Sequence, residues 1–292
     1  MEKPSGLGIW SSTNILNKEE LADLACQVED RGYQTLWYPE SLSYESLALG
    51  GYLLSKTSKL LIGSGISNIY ARDAVTAAQG HDSLNQIYGN RFIMGLGVSH
   101  VPLVSGARGH QYGKPVATMK KYLDDMGSAA VDPSIRLEDR SIVLAALGPK
   151  MLELASTATK GSLPYCVTPD HTLESRKLMG PDAWLCVEQK ICLTNDRGVG
   201  RGIARKQMAR YMSLENYRNN WLRLGFTEEE VSGEGADRFI DAMVVCGSER
   251  IIQDCIESHF KSGANQVVLQ AFRPDGGMGI DLKALAAFSP GR

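Results

Sequence analysis

Leu60-Leu61-Ile62-Gly63-Ser64-Gly65-Ile66-Ser67-Asn68 and Arg91-Phe92-Ile93-Met94-Gly95-Leu96-Gly97-Val98-Ser99-His100 are two apolar stretches with strand character that end alike. Side chains alternate across a strand, so Gly63 and Gly65 fall on one face, as do Gly95, Gly97 and Ser99. Glycine weakens a strand interior, so a paired loss of side chains points to something that approaches the backbone closely. Two readings stand: a flat ligand against that face, or a tight bend or bulge at a barrel corner.

Working outward, strand and helix patterns alternate along the chain. Leu7-Gly8-Ile9-Trp10 reads as a strand, and Asn17 caps a helix that carries Leu21, Leu24, Ala25 and Val28 inward and stops at Gly32. Thr35 to Tyr38 is the second strand, and the turn Pro39-Glu40-Ser41 leads to a helix over 47–54. Helices over 73–88 and from Pro115 flank the second Gly-x-Gly strand, with an irregular stretch over 101–113 of the length that usually carries function. The run Ile142-Val143-Leu144-Ala145-Ala146-Leu147 has the continuous apolar character of a strand buried on both faces, and Gly148-Pro149 opens the next helix. A short strand over 163–167, a helix from Pro169, a strand from Trp184 to Leu193 and a largely helical segment over 198–243 follow. Ser248 caps a further helix ending at Gly263, Gln266 to Gln270 form the last strand, and Asp281 begins a closing helix. This rhythm predicts an α/β fold of the (β/α)₈ TIM-barrel kind, one domain over 1–292, with a helical insertion over about 198–243 after strand seven.

Composition narrows the function. A chain of 292 residues, 43% apolar and 22% charged, supports one large core. Lys and Arg number 31 against 33 Asp and Glu, a net charge of -2, which leaves no general footprint for nucleic acid or an anionic membrane. No run of about eighteen apolar residues occurs, and the N-terminus passes directly into a strand, so the expectation is a cytoplasmic protein acting on a small molecule. The six cysteines, Cys26, Cys166, Cys186, Cys192, Cys246 and Cys255, form no CxxC pair and read as buried thiols rather than metal ligands.

In a barrel of this kind, chemistry gathers at the C-terminal ends of the strands. Those ends supply Glu40 and Ser41, Ile66 to Asn68, Ser99 and His100, and Gly148 to Lys150, with Glu188 and Gln189 inside strand seven. The chain holds no HExxH, no GxSxG elbow and no P-loop lysine, so an organic cofactor is expected to supply the hard chemistry. The partial Gly-x-Gly matches at Gly63 and Gly95 each lack the third glycine of a dinucleotide fingerprint. Leu147-Gly148-Pro149-Lys150 is either a phosphate cradle, with free N–H groups at a helix start beside a lysine, or an ordinary βα turn with proline at the first helical position. His100 is the leading candidate for proton transfer, against a plain hydrogen-bonding role at a strand end. His110, Tyr112 and His171 have weaker claims, and His259 reads as surface.

The segments 36–40, 62–72, 91–100 and 145–151, taken together and in order, resemble the bacterial luciferase-like flavin and deazaflavin oxidoreductases, and among them the F420-dependent branch. The resemblance runs from Gly6 to about Leu269 and implies a (β/α)₈ barrel with an insertion after strand seven. It implies coenzyme F420 as cofactor, or FMN in a monooxygenase fed with reduced flavin. A cofactor-binding protein without turnover is the third possibility. It implies that Glu40 contacts the ring system, that a non-prolyl cis peptide falls between Gly65 and Ile66, and that Ser67, Gly97 and Ser99 adjoin the ring. Gly148, Pro149 and Lys150 would take the phosphate. Where sugar-phosphate dehydrogenases of the family carry a histidine and a glutamate, this chain has Ser41 and His100, which argues against that activity. The resemblance also raises a homodimer, the state of many family members.

Overall fold

The computed structural model describes residues 1–291. The first half of the chain runs β1 (Gly6–Trp10), α1 (Lys18–Asp30), β2 (Thr35–Tyr38), α2 (Ser46–Ser55), β3 (Leu61–Ser64), β4 (Ser67–Asn68), α3 (Ala74–Ile87) and β5 (Phe92–Gly97). A π-helical segment (Pro102–Ala107) and α4 (Pro115–Gly127) occupy the long connection that follows. The second half runs β6 (Ile142–Leu144), α5 (Pro149–Ala158), β7 (Gly161–Ser162), α6 (Pro169–Met179), β8 (Trp184–Leu193), α7 (Arg197–Met212), α8 (Glu215–Arg223), α9 (Asp237–Met243), β9 (Val244–Gly247), α10 (Glu249–Lys261), β10 (Gln266–Phe272) and α11 (Leu282–Ala287).

Every strand pairing is parallel, and β10 pairs with both β1 and β8, so the sheet closes on itself. The expected eight-stave barrel is therefore the fold; β4 is the far end of the third stave and pairs with β5. Trp10, Trp37, Ile93, Val143, Leu163, Trp184, Cys186 and Val268 fill its interior. A larger apolar layer, including Leu36, Ile62, Phe92, Leu144 and Val267, lies between staves and helices. Burial at about 25 cal/mol per Å² of apolar surface makes these two layers the main source of stability.

The glycine pairs now have a physical account. A Cβ on Gly63 would sit 2.4 Å from the Trp37 indole, one on Gly95 would sit 2.0 Å from the Ser64 carbonyl oxygen, and one on Gly97 would sit 2.5 Å from the Ile66 side chain. Of the two readings of that stripped face, the bulge holds at these positions: the face receives the chain's own atoms. The chain breaks between β3 and β4 at a cis peptide joining Gly65 and Ile66, as expected. The Trp10 indole N–H donates to the Gly65 carbonyl at 3.1 Å and braces the break from inside the barrel.

The departures are local. The sixth stave lies at Gly161–Ser162 instead of 163–167, because Pro164 has no N–H to donate and Cys166 adopts φ +56°, outside strand geometry. The insertion is three helices separated by an irregular segment, followed by the unexpected strand β9, which pairs with the outer end of β8 from Lys190 to Leu193. Trp221, Phe239, Met208 and Val231 give this cap its own apolar centre. Among the described residues, no helix is long and apolar enough to cross a membrane and no cluster has metal-ligand character. All six cysteines are free; Cys26, Cys246 and Cys255 are only partly buried.

Candidate active site

A cavity of about 980 Å³ opens at the C-terminal mouth of the barrel, beneath the insertion. Glu40, Gly65, Ile66, Gly97, Ser99, His100, Gly148, Pro149 and Lys150 all line it. Four separate stave ends thus converge as expected, because a closed parallel barrel delivers every strand terminus to one rim.

Ser67 does not join them. It is fully buried, and its hydroxyl meets the Ser46 hydroxyl at 2.6 Å behind the wall. Glu40 lines the cavity, but its side chain is only 3% exposed and both carboxylate oxygens are taken. The Asn68 N–H donates to Oε2 at 2.7 Å, Arg72 Nη1 donates to the same oxygen at 3.1 Å, and Arg72 Nη2 pairs with Oε1. Arg72 also pairs with Glu45. Glu40 therefore ties the second stave to the bulge after the third, at the edge of the cavity. Burial works against the charge on Arg72, but the two carboxylates outweigh it and hold the guanidinium above its ordinary value.

His100 stands on the cavity wall directly after Ser99, whose φ of +56° turns the chain out of β5. Its carbonyl accepts from Leu103 and Val104 N–H at 3.0 and 2.9 Å, which starts the π-helical segment, and its ring lies 5.7 Å from that of Tyr217. Burial lowers its proton affinity, the Arg210 charge lowers it further, and a hydrogen bond with Asn216 opposes both. The imidazole is therefore neutral at neutral pH and able to accept a proton. Tyr112 donates to the Ser99 carbonyl at 3.2 Å and stacks against Tyr70.

Gly148 is the N-cap of α5 in an extended conformation, and a Cβ there would meet nothing within 4 Å. The Met151 and Leu152 N–H groups bond back to the Gly148 carbonyl, while the Gly148 and Lys150 N–H groups donate to no acceptor among the described residues. His171 fixes this turn from behind: its Nε2 donates to the Leu147 carbonyl at 2.8 Å. Burial pushes His171 down to about 4, which keeps the ring neutral. His259 is fully buried rather than at the surface, bonded to Thr172 at 2.8 Å and to Gln189 at 2.9 Å.

Sequence reasoning missed the cavity's aromatic floor. The Tyr165 hydroxyl donates to Gln270 Oε1 at 2.8 Å and meets the Tyr211 hydroxyl at 2.9 Å. Behind them Lys190 is wholly buried, with its Nζ 3.0 Å from both Glu188 oxygens, 3.1 Å from Cys166 Sγ and 3.5 Å from the centre of the Tyr165 ring. Burial opposes this cation, and Cys166 and Glu188 more than offset it. Two charges spaced two apart in a largely apolar strand were the available signal, since that spacing puts them on one face. Tyr211 and Tyr217 come from the insertion, and no local pattern marks them.

A closed parallel barrel whose mouth holds a cavity walled by the Gly65-Ile66 bulge and aromatic rings, a helix start with free N–H groups and one neutral histidine has the layout of a site for an organic cofactor and a small molecule. Residues 4–179 match the luciferase-like monooxygenase family model, and the chain belongs to that family. A Mycobacterium tuberculosis protein, named provisionally as a coenzyme F420-dependent oxidoreductase, is 24% identical over 273 aligned residues, covering 76% of this chain and 77% of the relative. The 5,10-methylenetetrahydromethanopterin reductase of Methanolobus tindarius is 28% identical over 178 residues, covering 54% of this chain and 52% of that enzyme. An F420-dependent secondary alcohol dehydrogenase, solved with an F420-acetone adduct, superposes with a TM-score of 0.76 over 98% of this chain and 97% of its own, at 14% identity, a likeness of fold.

Proposed function

We propose that this chain is an F420-dependent oxidoreductase that passes a hydride between C5 of the deazaflavin and a small organic substrate. The observation that carries the reading is the joining in one cavity of the Gly65-Ile66 bulge, the Gly97 wall and the open Gly148 turn. A flat ring has the Gly65-Ile66 bulge to lean on, with the Ile66 side chain covering Gly97, and an anion has two free N–H groups, a helix start and Lys150. The bound coenzyme supplies hydride acceptance or donation, which the side chains of this site lack.

The chain's own residues do the rest. Ile66 supports the ring from the bulge, the Gly148 turn anchors the phosphate, and the insertion screens the mouth from water. His100 takes or returns the accompanying proton at an imidazole nitrogen, and its lowered proton affinity suits the accepting direction at neutral pH.

Titrating the purified chain with F420 and with FMN in parallel tests the reading. Saturable F420 binding tighter than FMN is expected. A preference for FMN replaces it with the flavin monooxygenase reading, and no binding of either removes both.

A further inference from the structure

The charges around the cavity are unequal. Among the described residues, Glu40 is the only acid in its wall, and Arg72 neutralises it. Three cations also line the cavity, Lys150 at the start of α5 and Lys206 and Arg210 on α7, and none has an acidic partner among the described residues. Lys150 adjoins the phosphate turn already described. Lys206 and Arg210 stand on a different element, one helical turn apart, about 6 Å along the axis.

Their face of α7 is graded. Tyr211, next to Arg210, is half-buried and bonds to Tyr165 on the cavity floor, while Lys206 and Arg210 are exposed at the rim. Between floor and rim runs a continuous aromatic wall: Trp10 to Tyr165 at 5.4 Å, Tyr165 to Tyr211 at 5.4 Å, Tyr211 to Tyr217 at 5.3 Å and Tyr217 to His100 at 5.7 Å. A molecule that fills this space has its body against rings and one end beside a guanidinium and an ammonium, with no unpaired acid in the cavity lining among the described residues. Guanidinium offers paired donors to a carboxylate, and the ammonium adds a second point charge.

We propose that the substrate is an organic acid with an apolar or aromatic body, its body packed on Trp10, Tyr165 and Tyr217 and its carboxylate held by Arg210 and Lys206. The proposal rests on the oxidoreductase reading, and it assigns the two α7 cations to the substrate and not to the acidic tail of the coenzyme. Placing the anion at the rim directs the other end of the molecule toward the floor, where Gly65 and Gly97 border the ring position.

The probes are benzoate and benzamide, equal in shape and different in charge, titrated by calorimetry into the full chain with and without F420. Benzoate is expected to bind saturably and benzamide at least tenfold more weakly, a difference set by charge-assisted hydrogen bonds to Arg210 and Lys206. Arg210→Gln and Lys206→Gln, both exposed and checked for folding by thermal melting, are each expected to weaken benzoate about tenfold and to leave F420 affinity within twofold. Equal binding of the two probes, or benzoate binding untouched by either variant, overturns the proposal. A loss of F420 affinity in the variants also overturns it, since the cations then serve the coenzyme tail. Wild-type chain that discriminates benzoate from benzamide and never binds F420 overturns the oxidoreductase reading instead, so the two failures are distinct.

Discussion

Gly148→Asp places a carboxylate in the turn assigned to the cofactor phosphate, and the structure indicates that the barrel tolerates it. Gly148 has φ -85° and ψ 158°, a conformation open to any residue, and its Cβ would contact nothing within 4 Å. The position is the N-cap of α5, which lacks a side-chain cap, and aspartate is among the best residues there. Relative to glycine, that cap contributes a few tenths of a kcal/mol, so the melting temperature should hold or rise by less than about 2 °C. Against a phosphate about 4 Å away, the new charge costs about 1 kcal/mol in water-like surroundings and about 4 kcal/mol at an effective dielectric of 20. The carboxylate also competes for the free Lys150 N–H. The rim is open to solvent, so the low end applies, and F420 affinity should fall roughly fivefold to tenfold. Fluorescence titration at 0.1 M and 1 M salt should show the deficit shrinking as the Debye length falls from about 10 to 3 Å. Gly148→Asn, which caps without charge, should bind nearly as the parent does. A folded Gly148→Asp protein with F420 affinity within twofold of the parent would refute the phosphate assignment.

His100→Ala should keep the fold and most F420 affinity while lowering single-turnover hydride transfer by about 10²–10⁴, and His100→Gln should not restore it; wild-type rates in both make His100 structural. In the parent, the rate in the proton-accepting direction should rise with pH through a midpoint below the ordinary histidine value of 6.5, because burial and Arg210 both oppose protonation. Arg72→Met strands the Glu40 carboxylate, 3% exposed, without its cation, and should cost about 3–5 kcal/mol in urea unfolding; adding Glu40→Gln should recover much of that, and a loss under about 1 kcal/mol would remove the brace. His171 and His259 are each held down to about 4 by burial, against 6.5 when unfolded. The unfolded chain therefore binds more protons between those values, and stability should fall on acidification through this window, by about 2 kcal/mol per histidine at pH 5. Urea midpoints that do not move between pH 7.5 and 5 would contradict it.

The elements were legible because each carried a local cause. Asn17 accepts from Glu20 N–H while Glu20 reaches back to Asn17 N–H, and that capping box is written in four residues. Proline at the first turns of α4, α5 and α6 is equally local. Alternation of strands and helices made the barrel, and the barrel placed most of the expected residues on one rim. Where the local code was ambiguous, the reading slipped: Pro164 and the positive φ of Cys166 cut the sixth stave short, and β9 is a strand only because the end of β8 offers it partners.

Partnership across long separations was the part that no local pattern carries. The sequence put Glu40 at a strand end, but only the fold could bring Arg72 and the Asn68 N–H to its carboxylate. His259 looked like surface because its helix is amphipathic; that face packs against α6 and β8, where Thr172 and Gln189 take both ring nitrogens. By itself the chain determined its periodicities, its caps, its turn glycines and the set of residues at the barrel mouth, since these depend on neighbours a few positions away. Tertiary structure alone decided what fills the glycine-lined face, which charges are spent inside the protein and which are left for a ligand, because those outcomes depend on atoms brought together from distant parts of the chain.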